Sequence, residues 1–133
     1  MYTSKLRHFL INGSGDIYYQ GKSAITAGLE HPDDPKKIIG SIDVTTGALC
    51  ASATNRRKWK GIDHIINPIS ISQKSDIIAT WVYSDSCTIS DGIATALFFS
   101  PPENFLEDFK FEYLILNKHY KVKKSNGFNA KLY

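Results

Sequence analysis

The hydrophobic and polar positions along the chain alternate in short runs, broken often by glycine, proline and small polar residues. Phe9-Leu10-Ile11 is an apolar run that stops at Asn12-Gly13-Ser14-Gly15-Asp16, and Ile17-Tyr18-Tyr19-Gln20 follows. This predicts strand, turn, strand. Gly21-Lys22-Ser23 reads as a second turn, and Ala24–Leu29 as a strand of small residues. The polar stretch Glu30–Lys37, with two prolines, reads as a loop whose paired Asp33 and Asp34 are solvated. Ile38–Val44 alternates as a half-buried strand, and Thr45-Thr46-Gly47 predicts a hairpin turn into Ala48–Ser52. Asp76–Tyr83 is the strongest strand of the chain. Its two apolar faces predict a central place in a sheet.

One helical stretch stands out, Ser90-Asp91-Gly92-Ile93-Ala94-Thr95-Ala96-Leu97. Ser90 or Asp91 can cap it, and Pro101-Pro102 ends it. A second short helix is expected over Glu103–Phe109, with Pro102 at its first position. Phe111–Leu116 reads as a strand. His119–Lys124 reads as another, with Tyr120 and Val122 inside and lysines protecting an edge. The residues from Ser125 onward read as a tail. The whole pattern is α+β: about eight strands in a mostly antiparallel sheet, with two short late helices.

Composition changes this picture little. At 133 residues the chain is one domain large enough for a core. A net charge of +3 is too small to argue for a nucleic-acid partner, despite Arg56-Arg57-Lys58-Trp59-Lys60. No apolar run approaches the ~20 residues of a membrane span. The first residues lack the apolar core of a signal peptide, so the chain as it stands reads as cytoplasmic. Cys50 and Cys87 form no Cys-x-x-Cys pair. They predict neither a zinc site nor a disulfide framework, with Cys50 buried and Cys87 exposed.

The chemistry concentrates at Asp91 and Thr95. Four residues apart on a helix, both project from one face. A carboxylate beside a hydroxyl at a helix start suits a hard cation such as Mg²⁺ and the phosphate it carries. An aspartate cap with a solvated or core-facing threonine is the plainer reading of the same pair. His64, in the loop Asp63-His64-Ile65-Ile66-Asn67-Pro68, could serve as a general base or be structural. The Gly13–Asp16 turn could hold part of a nucleotide with its N–H groups or be a plain hairpin.

Three of these segments, in order, resemble the motifs of the flavin transferases called ApbE. Ser90-Asp91-x-x-x-Thr95-Ala96 resembles the family's alanine-aspartate-x-x-x-threonine-alanine pattern. Asp63–Pro68 is similar to its histidine-isoleucine-isoleucine-aspartate-proline segment. Asn12–Ile17 is similar to its glycine-glycine-aspartate-isoleucine turn. The resemblance covers nearly all of this chain but only the C-terminal half of a full-length member, and those members are often exported.

By that resemblance the fold is a T-fold-like ApbE domain. The family takes FAD, splits its pyrophosphate and transfers FMN to a threonine of an acceptor protein, with Mg²⁺ neutralising phosphate charge. Asp91 and Thr95 would then be metal ligands and His64 the base. Gly15, Asp16, Ser52 and Arg57 would border the nucleotide. The chain departs from the pattern at Asn67, where the family has aspartate. It departs again at Ala53, where the family has glycine after the serine that Ser52 matches, and at Asn55, which stands for a tyrosine. These departures, and the half of the family that is not matched, leave three expectations open. The chain is half of a split site completed by a second chain, a fragment, or a domain that binds nucleotide or a partner without catalysis.

Overall fold

The computed structural model describes residues 9–13, 16–53 and 76–133. Arg57 and His64, with the segment from Thr54 to Ser75, and Gly15 lie outside the described residues. The described strands form one antiparallel sheet of seven strands. In chain order they are β1 (Phe9–Gly13), β2 (Asp16–His31), β3 (Asp34–Ala53), β4 (Ile77–Ser84), β5 (Glu112–Asn117), β6 (Val122–Lys124) and β7 (Ala130–Leu132). Their spatial order is β1-β2-β3-β4-β5-β6, and β7 pairs with the early part of β3. Among the described residues a single α-helix, α1 (Cys87–Ala96), joins β4 to the segment before β5. The expected α+β, mostly antiparallel architecture holds, and β4 lies between β3 and β5 as its two apolar faces predict.

The largest difference is the length of β2 and β3. The turns expected at Gly21–Ser23 and Thr45–Gly47 are irregularities inside two continuous strands, and the loop expected over Glu30–Lys37 shrinks to Pro32-Asp33. Glycine and small polar residues mark a bulge as well as a turn, because both need backbone that leaves the regular strand. Gln20 pairs with Thr46 but Ile25 pairs with Val44, so residues 21–24 bulge out of β2. Tyr19 folds over the bulge and its hydroxyl donates to the Ser23 carbonyl at 2.6 Å. A Cβ on Gly21 would meet that hydroxyl oxygen at 2.1 Å. Opposite, Gly47 has φ +145°, and a Cβ there would sit 2.7 Å from the Ser84 carbonyl oxygen.

The irregularity changes the facing of β3. Before it, even positions (Ile42, Val44) lie in the larger core; after it, odd positions (Leu49, Ala53) do. A strand alternates strictly, so an odd offset at a bulge exchanges its faces. Consequently Ala48, Cys50 and Ser52 turn to the opposite side, where α1 packs.

The larger core joins Leu29, Val44, Leu49, Trp81, Leu114, Leu116 and Phe128. Phe128 is fully buried and β7 adds to the sheet, so the expected tail is part of the core. The smaller core lies under α1, with Val82, Ile93, Leu97, Phe111, Tyr113 and Ile115. The expected second helix is replaced by a three-residue 3-10 turn, Pro102–Asn104, followed by further turns. Leu106 and Phe109 there are exposed, so no apolar stripe is buried to offset helix nucleation. Tyr120 and Val122 are also exposed rather than inside. Tyr120 takes φ +60° in the turn before β6, and its hydroxyl donates to Asp33 at the tip of the β2–β3 hairpin.

Candidate functional site

The corner where α1 crosses β3 brings together residues far apart in sequence. The helix starts one turn earlier than its composition predicts. Ser86 is the N-cap, its hydroxyl accepting from the Ile89 N–H at 3.2 Å. The polar run Ser84-Asp85-Ser86 supplies a cap before the one at Ser90, and Ser90 is drawn into the sheet instead. It is fully buried, donates to the Ala48 carbonyl at 3.0 Å, and shares a 2.6 Å hydrogen bond with the Ser84 hydroxyl. One turn on, the Thr80 hydroxyl donates to the Ala94 carbonyl at 2.5 Å. These bonds seat α1 on β3 and β4 in one orientation.

Asp91 and Thr95 therefore lie inside the helix, not at its positive end. Their side chains share a face with Cys87, at steps of four residues. Thr95 stands in the last turn, where the helix dipole favours a cation. Asp91 is exposed and Thr95 half-buried.

Across the corner, Asp16 opens β2. β2 pairs with β3 from Ile17 opposite Leu49, so the Ala51 N–H lies beyond the end of that ladder. The Asp16 Oδ1 accepts this N–H at 3.3 Å. Ser52 follows on β3, buried and facing α1, and its hydroxyl has no hydrogen-bond partner among the described residues.

Cys50, two residues before, is fully buried; Cys87 is exposed at the start of the helix. The two sulfurs, 37 residues apart in sequence, are 3.9 Å from each other. Burial raises the Cys50 thiol well above its ordinary pKa, and the carboxylate of Asp16, the Cys87 sulfur and the carboxylate of Asp91 raise it further. Asp16 and Asp91 thus both bear on this one thiol.

Asp16 and Asp91 both bear on Cys50, Ser52 follows two residues on along β3, and Thr95 stands one turn after Asp91 on α1; sequence reasoning did not bring the two cysteines together. Gly15, Arg57 and His64 lie outside the described residues. The oxygen donors of Asp91 and Thr95 suit a hard cation. Among the described residues no group of three or more histidine, cysteine, aspartate or glutamate side chains could hold a metal, so the pair is at most part of a coordination shell. A cavity of about 470 Å³ is elsewhere among the described residues. It lies past the C-terminal end of α1 and is lined by Leu97, Phe98, Pro102, Ile115 and Val122 among others. No helix among the described residues is long and apolar enough to cross a membrane.

Comparison with solved structures places the sheet and helix among known folds. The ApbE protein of Thermotoga maritima is similar over 91% of this chain and 43% of its own, with a TM-score of 0.76 and 18% identity. The flavin transferase ApbE of Vibrio cholerae is similar over 92% of this chain and 43% of its own, with a TM-score of 0.67 and 19% identity. The chain thus spans less than half the length of either. No curated protein sequence matches. The sequence model of the ApbE family matches residues 1–114, which carry the corner of Asp16, Ser52, Asp91 and Thr95, and the chain belongs to the ApbE family.

Proposed function

We propose that this chain is the T-fold-like C-terminal part of a flavin transferase. It would bind the pyrophosphate end of FAD at the α1–β3 corner, for transfer of FMN to a threonine of an acceptor protein. The observation that carries this is that Asp16 and Asp91, residues of separate motifs, both bear on the Cys50 thiol of β3, two residues before Ser52. The solved Vibrio cholerae protein of similar fold is a flavin transferase.

Asp91 and Thr95 would hold Mg²⁺, which when bound neutralises phosphate charge and aligns the reacting groups. Asp91 contributes full charge and Thr95 a dipole, both from one helical face. The Ser52 hydroxyl, unpartnered among the described residues and facing α1, is free to donate to a phosphate or ribose oxygen. Asp16 holds the strand end that carries Ser52. Arg57 as a phosphate contact, His64 as the base and Gly15 as a border of the nucleotide remain part of the proposal by motif.

A carboxylate and a hydroxyl leave most of an octahedral shell to other donors. With Asn67 and Ala53 where the family has aspartate and glycine, we expect weak or absent transfer by this chain alone, and completion of the site by a second chain or further segment. The test is FMN attachment to a threonine-bearing acceptor with FAD and Mg²⁺. Robust turnover by the isolated chain would show that those departures do not matter. A second reading is a domain that binds nucleotide or a partner without catalysis, favoured by the lack of a fuller metal cluster among the described residues. FAD binding without transfer, even after a completing chain is added, would favour it.

A further inference from the structure

Cys50 and Cys87 have no role in the proposed transfer, yet they face each other across the α1–β3 corner. Cys50 is fully buried on β3, and Cys87 is exposed as the first residue of α1. Their sulfurs are 3.9 Å apart, and the Cys50 thiol also points at the Cys87 carbonyl oxygen at 3.7 Å. Both sulfurs are tethered by single Cβ–Sγ bonds, so side-chain rotation and a small shift of the helix start can bring them to bonding distance. One thiol is open to reagents and the other is shielded. That is the arrangement of an attacking and a resolving cysteine.

We propose that Cys50 and Cys87 form a reversible intramolecular disulfide that clamps the start of α1 to β3.

The oxidant is a low-molecular-weight disulfide. The Cys87 thiolate attacks one of its sulfurs, forms a mixed disulfide and expels one thiolate. Cys50 loses its proton, attacks the Cys87 sulfur, closes the Sγ–Sγ bond and expels the second thiolate. Two protein thiols are oxidised, the external disulfide is reduced to two thiols, and the two protons released end on those leaving groups. The shielding of Cys50 makes the second step the slow one. The new bond closes a loop over residues 51–86 and fixes the helix bearing Asp91 and Thr95 against the strand bearing Ser52. Long closed loops restrict the unfolded chain most, so the oxidised form gains thermal stability.

The test uses the reduced whole chain, equilibrated with mixtures of oxidised and reduced glutathione. Thiol labelling and peptide mapping by mass spectrometry read the products, and calorimetry reads Tm. The expected result is a Cys50–Cys87-linked peptide that reverses with reductant, and a Tm on the order of 10 °C higher when oxidised. Cys87→Ser, on the surface, should lose both the link and the Tm shift while keeping the reduced Tm. Cys50→Ala should stop at the glutathione adduct of Cys87. Accumulation of that adduct in the unaltered chain, disulfide-linked dimers, or equal Tm in both states would each overturn the proposal. None of these readouts involves flavin or metal, so the result stands apart from that of the transfer assay.

Discussion

The two faces of the sheet are built on different rules. On one, Leu29, Val44, Trp81, Leu114 and Phe128 meet with little but hydrocarbon. On the other, the helix settles onto Val82 and Ile115 but also onto Ser84, Thr80, Cys50 and Ser52, and turns its own Ser90 into the seam, all buried. The first face gains stability simply by area removed from water. The second buries polar groups, which cost free energy unless each finds a partner. Ser84, Ser90 and Thr80 find theirs within the corner, and Ser52 finds none among the described residues. The bonds of this face fix the position of the helix as well as adding to stability.

Substitutions should separate the faces, and the largest effect belongs to the apolar one. Trp81→Ala should cost about 3–5 kcal/mol in urea unfolding, by lost burial and the cavity left behind. A cost near 1 kcal/mol would mean that this face is looser than it looks. Next, Thr80→Val should cost roughly 1–2 kcal/mol, since it leaves the Ala94 carbonyl without its buried donor; an unchanged midpoint would detach the helix from that bond.

Cys50 supplies a test in pH. Its pKa is raised in the folded state from an ordinary value of 9.0, so the thiol stays protonated when the unfolded chain has lost the proton. The folded form then binds more protons, and stability falls as pH rises above about 9, by up to ~1.4 kcal/mol per unit. Cys50→Ala should remove that part of the slope; identical profiles would place the thiol in a wetter setting.

Asp91 should show the smallest effect on stability and the largest on binding. Being exposed, Asp91→Ala should change unfolding by less than about 0.5 kcal/mol. Calorimetric titration should nevertheless show Mg²⁺-dependent FAD binding lost in Asp91→Ala and weakened less in Thr95→Val. Mg²⁺ without nucleotide should bind poorly to all forms. Equal binding by Asp91→Ala and the unaltered chain would remove the metal assignment.

What could be read in the sequence was local. β4 is legible because every residue of Ile77–Tyr83 agrees on strand, and α1 because Ile93, Ala94 and Leu97 share an apolar face. Of the candidate residues, Asp91 and Thr95 are legible from their helical spacing, and Asp16 and Ser52 only as matches to motifs. The approach of Asp16 to Ala51 depends on the β2–β3 pairing, which no short window contains. The same holds for Phe128, buried by a strand pairing with residues some ninety positions away, and for the two cysteines. At Gly21 and Gly47 the local signal is real but ambiguous, since a chain that leaves regular strand geometry can either reverse or bulge. Cross-strand pairing decided for the bulge.

The exchange of faces at Thr45–Gly47 gives β3 something like a reading frame. Adding or removing one residue between Val44 and Ala48 would shift the phase of all that follows: Leu49 and Ala51 would be thrust against the helix, and Cys50 and Ser52 into the hydrocarbon beneath Trp81. Two residues added together would restore the phase and be absorbed as a wider bulge. At the Pro32-Asp33 tip, length carries no such phase. Tolerance to insertion along this hairpin should therefore be periodic near the bulge and indifferent at the tip, and the chemistry of the corner depends on a count as much as on the residues counted.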